Sequence, residues 1–118
     1  MLVPGLAPYD AVSNDTLGMT AALRALGHEV AVFAPHSRDV AEAVRPHAEI
    51  DAWLAGADDV LVYHYCIGWD FALDLLRRTK ARRVVRYHNI TPPEFFEGWS
   101  EGYVSACTAG RAELDAYA

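Results

Sequence analysis

Val84-Val85-Arg86-Tyr87-His88-Asn89-Ile90-Thr91-Pro92-Pro93-Glu94-Phe95-Phe96 is the stretch from which the fold of this chain is read. Residues 84–87 are mostly β-branched and aromatic, the profile of a buried strand. Polarity arrives abruptly at His88 and Asn89. Thr91-Pro92-Pro93-Glu94 then has the form of a capping box, in which Thr91 accepts from the Glu94 N–H and the Glu94 side chain reaches back to the Thr91 N–H. Pro92 takes the first helical position, where a missing N–H costs nothing. The pattern predicts a strand, two displayed polar side chains and a short helix. Ligands of open α/β sheets bind at that end of the strands, which makes His88 and Asn89 candidates for ligand contact. A helix N-terminus normally offers free N–H groups to an anion. Here Pro92 and Pro93 have none and Thr91 occupies the one on Glu94, so the loop is read as presenting side chains to a neutral polar ligand. The alternative is that His88 and Asn89 only close a βα turn.

Outward from this stretch the chain alternates. Residues 1–3 end a short first strand, stopped by Pro4-Gly5. Ser13 is the expected N-cap of a helix with Asp15 in its first turn, and Thr16, Met19, Leu23 and Leu26 follow at helical spacing. Gly27 is the expected residue just past the helix end, and residues 29–34 read as a second strand ended by Pro35. Residues 39–44 read as a short helix closed by Pro46, and 48–54 as a further helical turn or two. Residues 60–65 form a third strand, apolar enough to be covered on both faces. Asp70 caps the next helix, on which Asp74 can pair with Arg77 or Arg78. Residues 83–87 are the fourth strand, and Ser100 caps a last helix carrying the stripe Tyr103, Cys107, Gly110, Leu114 and Tyr117.

Alternating strands and helices imply an α/β fold, a Rossmann-like, doubly wound parallel sheet of about four strands. Its first strand is expected in the centre, with the second and fourth beside it. Right-handed crossovers place the loops after each strand on one edge. There the polar strand-end residues converge: Asp10, Ser13 and Asn14 from the first loop, His64 and Tyr65 from the third strand, His88 and Asn89 from the fourth.

Composition narrows the function classes. At 118 residues, 53% hydrophobic and 22% charged, the chain is a single globular domain. It holds no apolar run of the ~20 residues a membrane span needs and no leader-like start. Cys66 and Cys107 stand in no metal or redox spacing, which reads as reduced, buried thiols in a cytoplasmic protein. A net charge of −6 disfavours nucleic acid as a partner. Arg77, Arg78, Lys80, Arg82, Arg83 and Arg86 nevertheless form a run with no acid between Asp74 and Glu94. It reads as a solvated face beside a helix C-terminus; the other reading is a peripheral membrane contact through anionic lipid headgroups. G-x-G-x-x-G and G-x-x-x-x-G-K-[ST] are both absent, which speaks against dehydrogenase and P-loop chemistry. The five His residues show no paired metal spacing, and His28, His36 and His47 read as surface or turn positions. Neither a metal nor a cofactor is expected.

Three stretches carry a resemblance: Asp10-Ala11-Val12-Ser13-Asn14-Asp15, then Leu23-Arg24-Ala25-Leu26-Gly27-His28-Glu29-Val30, then, most specifically, residues 86–96. Together they resemble the N-terminal half of the retaining family 4 glycosyltransferases (glycosyl transferases group 1), which have the GT-B fold. The resemblance implies two Rossmann-like domains facing a cleft, the N-terminal one mostly holding the acceptor and the C-terminal one a nucleotide-sugar donor. It implies transfer of a sugar from a nucleotide-diphosphate sugar to a sugar, lipid-linked or small-molecule acceptor, with retention and no required metal. The family's strand-end histidine beside the transferred sugar matches His88, and its cleft-floor residues match Asp10, Ser13 and Asn14. Tyr9 and Ser13 stand where related first loops carry glycine. On this likeness residues 1–118 are expected to be a truncated acceptor-side domain lacking the donor domain, inactive alone and self-associating through the stripe on the last helix. The alternative is a free-standing, non-catalytic half-domain that binds a sugar or a partner chain.

Overall fold

Parallel strand pairing organises the molecule in the computed structural model, which describes residues 1–117. β1 (Val32–Ala34) pairs with β2 (Val44–Pro46), and β3 (Val60–Tyr65) pairs with β4 (Arg82–Tyr87). The two ladders meet at residues 1–3. On one side Val3 N–H donates to Phe33 O at 3.1 Å and Phe33 N–H to Met1 O at 2.8 Å. On the other, Leu2 N–H donates to Val62 O at 2.8 Å and His64 N–H to Leu2 O at 2.9 Å. Leu2 bridges Phe33 and Tyr63 in parallel sense. The lateral order is therefore β2, β1, residues 1–3, β3, β4.

The first segment is central as expected, but its second neighbour is the third strand of the sequence reading and not the fourth. The burial of the two strands gives the reason. All of β3 except Val60 is buried, while all of β4 except the half-buried Val85 is exposed, so the buried strand expected at residues 84–87 is instead an exposed one. A strand carrying Arg82, Arg83 and Arg86 is tolerated at a sheet edge, where its charges stay in water.

Side chains alternate across the strands. Leu2, Phe33, Leu61, Tyr63 and Tyr65 join a core with Ile50, with Ala72, Leu75 and Leu76 of α2 (Asp70–Arg78), and with Cys107 of α3 (Glu101–Ala112). Met1, Val3, Val32, Ala34 and Val62 form a second core against Val12, Leu17, Met19 and Leu23 of α1 (Ala11–Ala25). Helices thus cover the strands from both sides.

α1 ends as its sequence implies. Gly27 takes φ +89°, its N–H donates to Arg24 O and that of His28 to Leu23 O, the paired bonds of a Schellman end. Its start is corrected: Asp10, not Ser13, is the N-cap, accepting from Ser13 N–H. The buried positions of α1 are Ser13, Thr16 and Thr20, with Leu26 exposed. Thr16 and Thr20 are buried at little cost because their hydroxyls donate to Val12 O and Thr16 O, each at 2.8 Å.

Other expectations also change. Residues 39–43 form no helix and Val44–Pro46 is a strand, because Val44 pairs with Val32 and Pro46 lies at the end of an outer strand where its missing N–H is harmless. The second strand shortens to β1, and residues 48–54 become a 3₁₀ turn, His47–Ala52, with Ile50 buried. α2 is capped from Trp69, so Asp70 lies in its first turn. The Thr91–Glu94 box does not form: the helical turn is a 3₁₀ turn, Pro93–Phe96, preceded by Pro92, which leaves Thr91 one residue too far out to cap it. Ser100 caps α3 as expected, accepting from Tyr103 N–H at 3.3 Å. The expected stripe divides: Cys107 and Gly110 are buried, Leu114 and Tyr117 lie past the helix in a 3₁₀ turn packed on the core, and Tyr103 is exposed. α3 is seated by a backbone crossing. A Cβ at Gly110 would lie 2.6 Å from Gly68 N, and one at Gly68 would lie 2.8 Å from Gly110 N. Among the described residues no helix is long and apolar enough to cross a membrane.

Candidate functional site

The C-terminal ends of β3 and β4 bring two histidines together. His64 follows Tyr63 in β3, so it points to the α1 side of the sheet while Tyr63 points to the α2 side. Its ladder partner is Arg86, which shares that side. His88 lies one residue past β4, and its N–H donates to Tyr65 O at 2.9 Å, extending the ladder beyond the strand. Asp15 comes from the second turn of α1.

His64 Nδ1 and His88 Nε2 are 3.0 Å apart. Asp15 Oδ2 is 3.5 Å from His64 Nδ1 and 3.6 Å from His88 Nε2. Arg86 grips Asp15 with two bonds, Nε to Oδ2 at 3.0 Å and Nη2 to Oδ1 at 2.9 Å. The His64 side chain is wholly buried, that of His88 13% exposed, while Asp15 and Arg86 are progressively more open. Burial, and then the neighbouring His88, push the His64 imidazole down to about 4, against an opposing pull from Asp15. Burial also lowers His88, again opposed by Asp15. The hydrogen bond from Arg86 holds the Asp15 carboxyl below its ordinary range. At neutral pH the cluster is thus two neutral rings beside an ion pair.

The separations of these three ligand atoms, 3.0, 3.5 and 3.6 Å, resemble the edges of a coordination polyhedron around a small cation. The ring directions do not. The ring centres are 5.2 Å apart with planes 21° from parallel. That separation is close to the N···N distance plus two ring radii, so both nitrogens lie near the line joining the centres and point at each other. A zinc ion ~2.0–2.1 Å from both would stand ~40° off that line, and Arg86 already occupies both oxygens of Asp15. The arrangement is that of an N–H···N hydrogen bond.

The remaining expected residues are placed as follows. Asp10 Oδ2 accepts from Ser13 N–H at 2.8 Å and from Ser13 Oγ at 2.6 Å, and Ser13 Oγ accepts from Ala7 N–H at 3.0 Å. The two hold the first loop closed, and the buried Ser13 hydroxyl is spent in doing so. Asn14 is exposed. Asn89 is exposed at φ 52°, a left-handed conformation that Asn tolerates. Tyr65 is turned to the opposite core, where its hydroxyl donates to Gly110 O. Ile90, buried after Asn89, ties the turn down: its N–H donates to Tyr87 Oη at 3.2 Å and its carbonyl accepts from Arg111 at 3.0 Å. Tyr9 has φ 64° and is fully exposed.

Asp15 and Arg86 were missed as site residues. The signal for Arg86 was its position two residues before His88, on the same side of one strand. Half of the basic run to which it belongs is partnered: Arg78 pairs with Asp51 and Asp74, Arg83 donates to Leu76 O, and Arg86 pairs with Asp15. A cavity of about 510 Å³ lies at the other end of the strands, among Met1, Val30, Trp53, Asp58 and Val60. None of Asp15, His64 and His88 lines it, and parallel sheets bind ligands at the opposite, C-terminal strand ends. Comparison with protein-family models, curated proteins and solved structures returned no match.

Proposed function

We propose that this chain is the acceptor-side, Rossmann-like part of a retaining GT-B glycosyltransferase, a protein that moves a sugar from a nucleotide-diphosphate sugar to an acceptor. The observation that carries this reading is the joining of His64 and His88, 3.0 Å apart at the C-terminal ends of adjacent parallel strands. A central first segment with helices on both faces supports the finer fold, and the stretches at residues 10–15, 23–30 and 86–96 support the family.

His88 offers a neutral ring nitrogen at the rim and Asn89 an exposed amide. Pro92 and Pro93 supply no backbone N–H, which suits an uncharged sugar better than a phosphate. Fixed hydrogen-bonding groups aimed at a sugar contribute by meeting charge as it develops, without reorganising when it does. Here His88 touches the sugar, Asn89 binds beside it, and Asp10 with Ser13 shape the loop beneath.

The test is an NMR titration of the labelled chain with a panel of neutral glycosides and, separately, nucleotide sugars. Glycosides are expected to shift His88 and Asn89, and His88→Ala to abolish binding while the amide spectrum stays folded. If no neutral sugar perturbs either residue at millimolar concentration, the reading fails. Binding to a chain that supports no transfer when supplied with any donor-binding half would favour the non-catalytic alternative.

A further inference from the structure

The geometry points to His64 as a positioning residue that fixes the tautomer of His88: His64 Nδ1–H donates to His88 Nε2, leaving His88 Nδ1–H as the group shown to a ligand. The identity of that ligand as a sugar rests on the function proposed above; the proton arrangement does not.

One hydrogen lies between the two rings, and it belongs either to His64 Nδ1 or to His88 Nε2. The other nitrogen of His64 decides. His64 Nε2 is buried and no group among the described residues bonds to it. Were the shared hydrogen on His88, neutral His64 would carry its own on Nε2, sealing an N–H away from any acceptor. Buried N–H groups without an acceptor are rarer than under-used acceptors. With the hydrogen on Nδ1, Nε2 keeps only a lone pair. Asp15 does not alter the choice, since its Oδ2 is nearly equidistant from the two nitrogens and both of its oxygens are engaged by Arg86.

The consequence reaches the rim. His88 Nε2 accepts, so neutral His88 carries its hydrogen on Nδ1, which makes no hydrogen bond to the described residues and is not among the atoms sealed from solvent. The displayed group is a donor. It takes a ligand oxygen with a free lone pair, such as a sugar hydroxyl, ring or carbonyl oxygen, and it cannot act as a base toward a hydroxyl proton. Residues set two apart in function by one strand pairing are thus wired: the inner ring dictates what the outer ring offers.

Long-range ¹⁵N–¹H correlation spectra of the histidine-labelled chain at neutral pH read this directly. His88 is expected to show a protonated Nδ1 and an unprotonated Nε2, and His64 the same pattern. His64→Asn places an amide N–H where Nδ1 stood and is expected to preserve the His88 pattern. His64→Leu removes it and is expected to release His88 to the Nε2–H form that free imidazole side chains prefer. An unprotonated Nδ1 on His88 in the unsubstituted chain overturns the inference, as does a His88 pattern unchanged by His64→Leu in a folded protein. If His64→Leu does not fold, the unsubstituted spectrum alone still decides. The readout involves no sugar, so a failed titration with glycosides and a wrong tautomer are separate results.

Discussion

Acid should destabilise this protein through His64, beginning below about pH 6.5. Its ring is fully buried and its folded pKa is about 4, against 6.5 in the unfolded chain. The sign follows from which state takes the proton first. Between those two values the unfolded chain binds a proton that the folded chain refuses, so stability is whole above about pH 6.5 and falls as pH drops toward 4. The limiting slope is about 1.4 kcal/mol per pH unit, and the loss reaches roughly 2–3 kcal/mol by about pH 4.5. Against the 5–15 kcal/mol typical of a whole domain, that is a large fraction. His88 is lowered too and adds in the same direction. Asp15 does not rescue the charged ring, because Arg86 already holds both of its oxygens. Urea unfolding followed by circular dichroism, at a series of pH values and constant ionic strength, measures the slope. His64→Asn, which cannot titrate, should flatten the curve by about 1 kcal/mol per unit over that window. Parallel curves for the two proteins would refute the reasoning, whatever their absolute stabilities.

Gly110→Ala should lower stability by about 1–3 kcal/mol or more, read as a fall in thermal midpoint, since its new methyl would meet Gly68 N at 2.6 Å and Ile90 Cδ1 at 2.7 Å; an unchanged midpoint would mean that the two backbones part without cost. Asp15→Asn should change stability only slightly, because the Arg86 end of the ion pair is half exposed to solvent, yet should lower the titration midpoint of His88 by removing the carboxylate that favours its charged form. An upward move of that midpoint, followed by NMR, would contradict the cluster's electrostatics.

Much of the scaffold was legible where the signal is local. The Gly27 helix end, the Ser100 cap, the Asp74–Arg78 pair, the bounds of β3 and the end of β4 each depend on residues within a few positions of one another. β2 was not legible, since the 39–44 stretch reads as helix and only its pairing with distant Val32 makes Val44 a strand. The Thr91 box failed because two prolines shift the turn by one residue. At the site, strand ends revealed His64 and His88. Their alignment with Asp15 and Arg86 depends on strand register and on where α1 lies across the sheet, neither of which is written in a single segment. Tyr65 was grouped with His64 although a period of two sends adjacent side chains to opposite faces. That signal was available and outweighed by proximity.

The turn that carries His88 is fastened at both ends. Before it, His88 N–H is tied to Tyr65 O; after it, Ile90 is buried, tied to Tyr87 and Arg111, and packed where Gly110 leaves room. Between these anchors only Asn89 is free to rotate. Such a loop has already surrendered most of its conformational freedom, so a ligand bound there would have little beyond the Asn89 side chain left to freeze. Affinity there should accordingly track the fit of the ligand's own polar groups, with little of the adaptation by which a slack loop accepts many shapes.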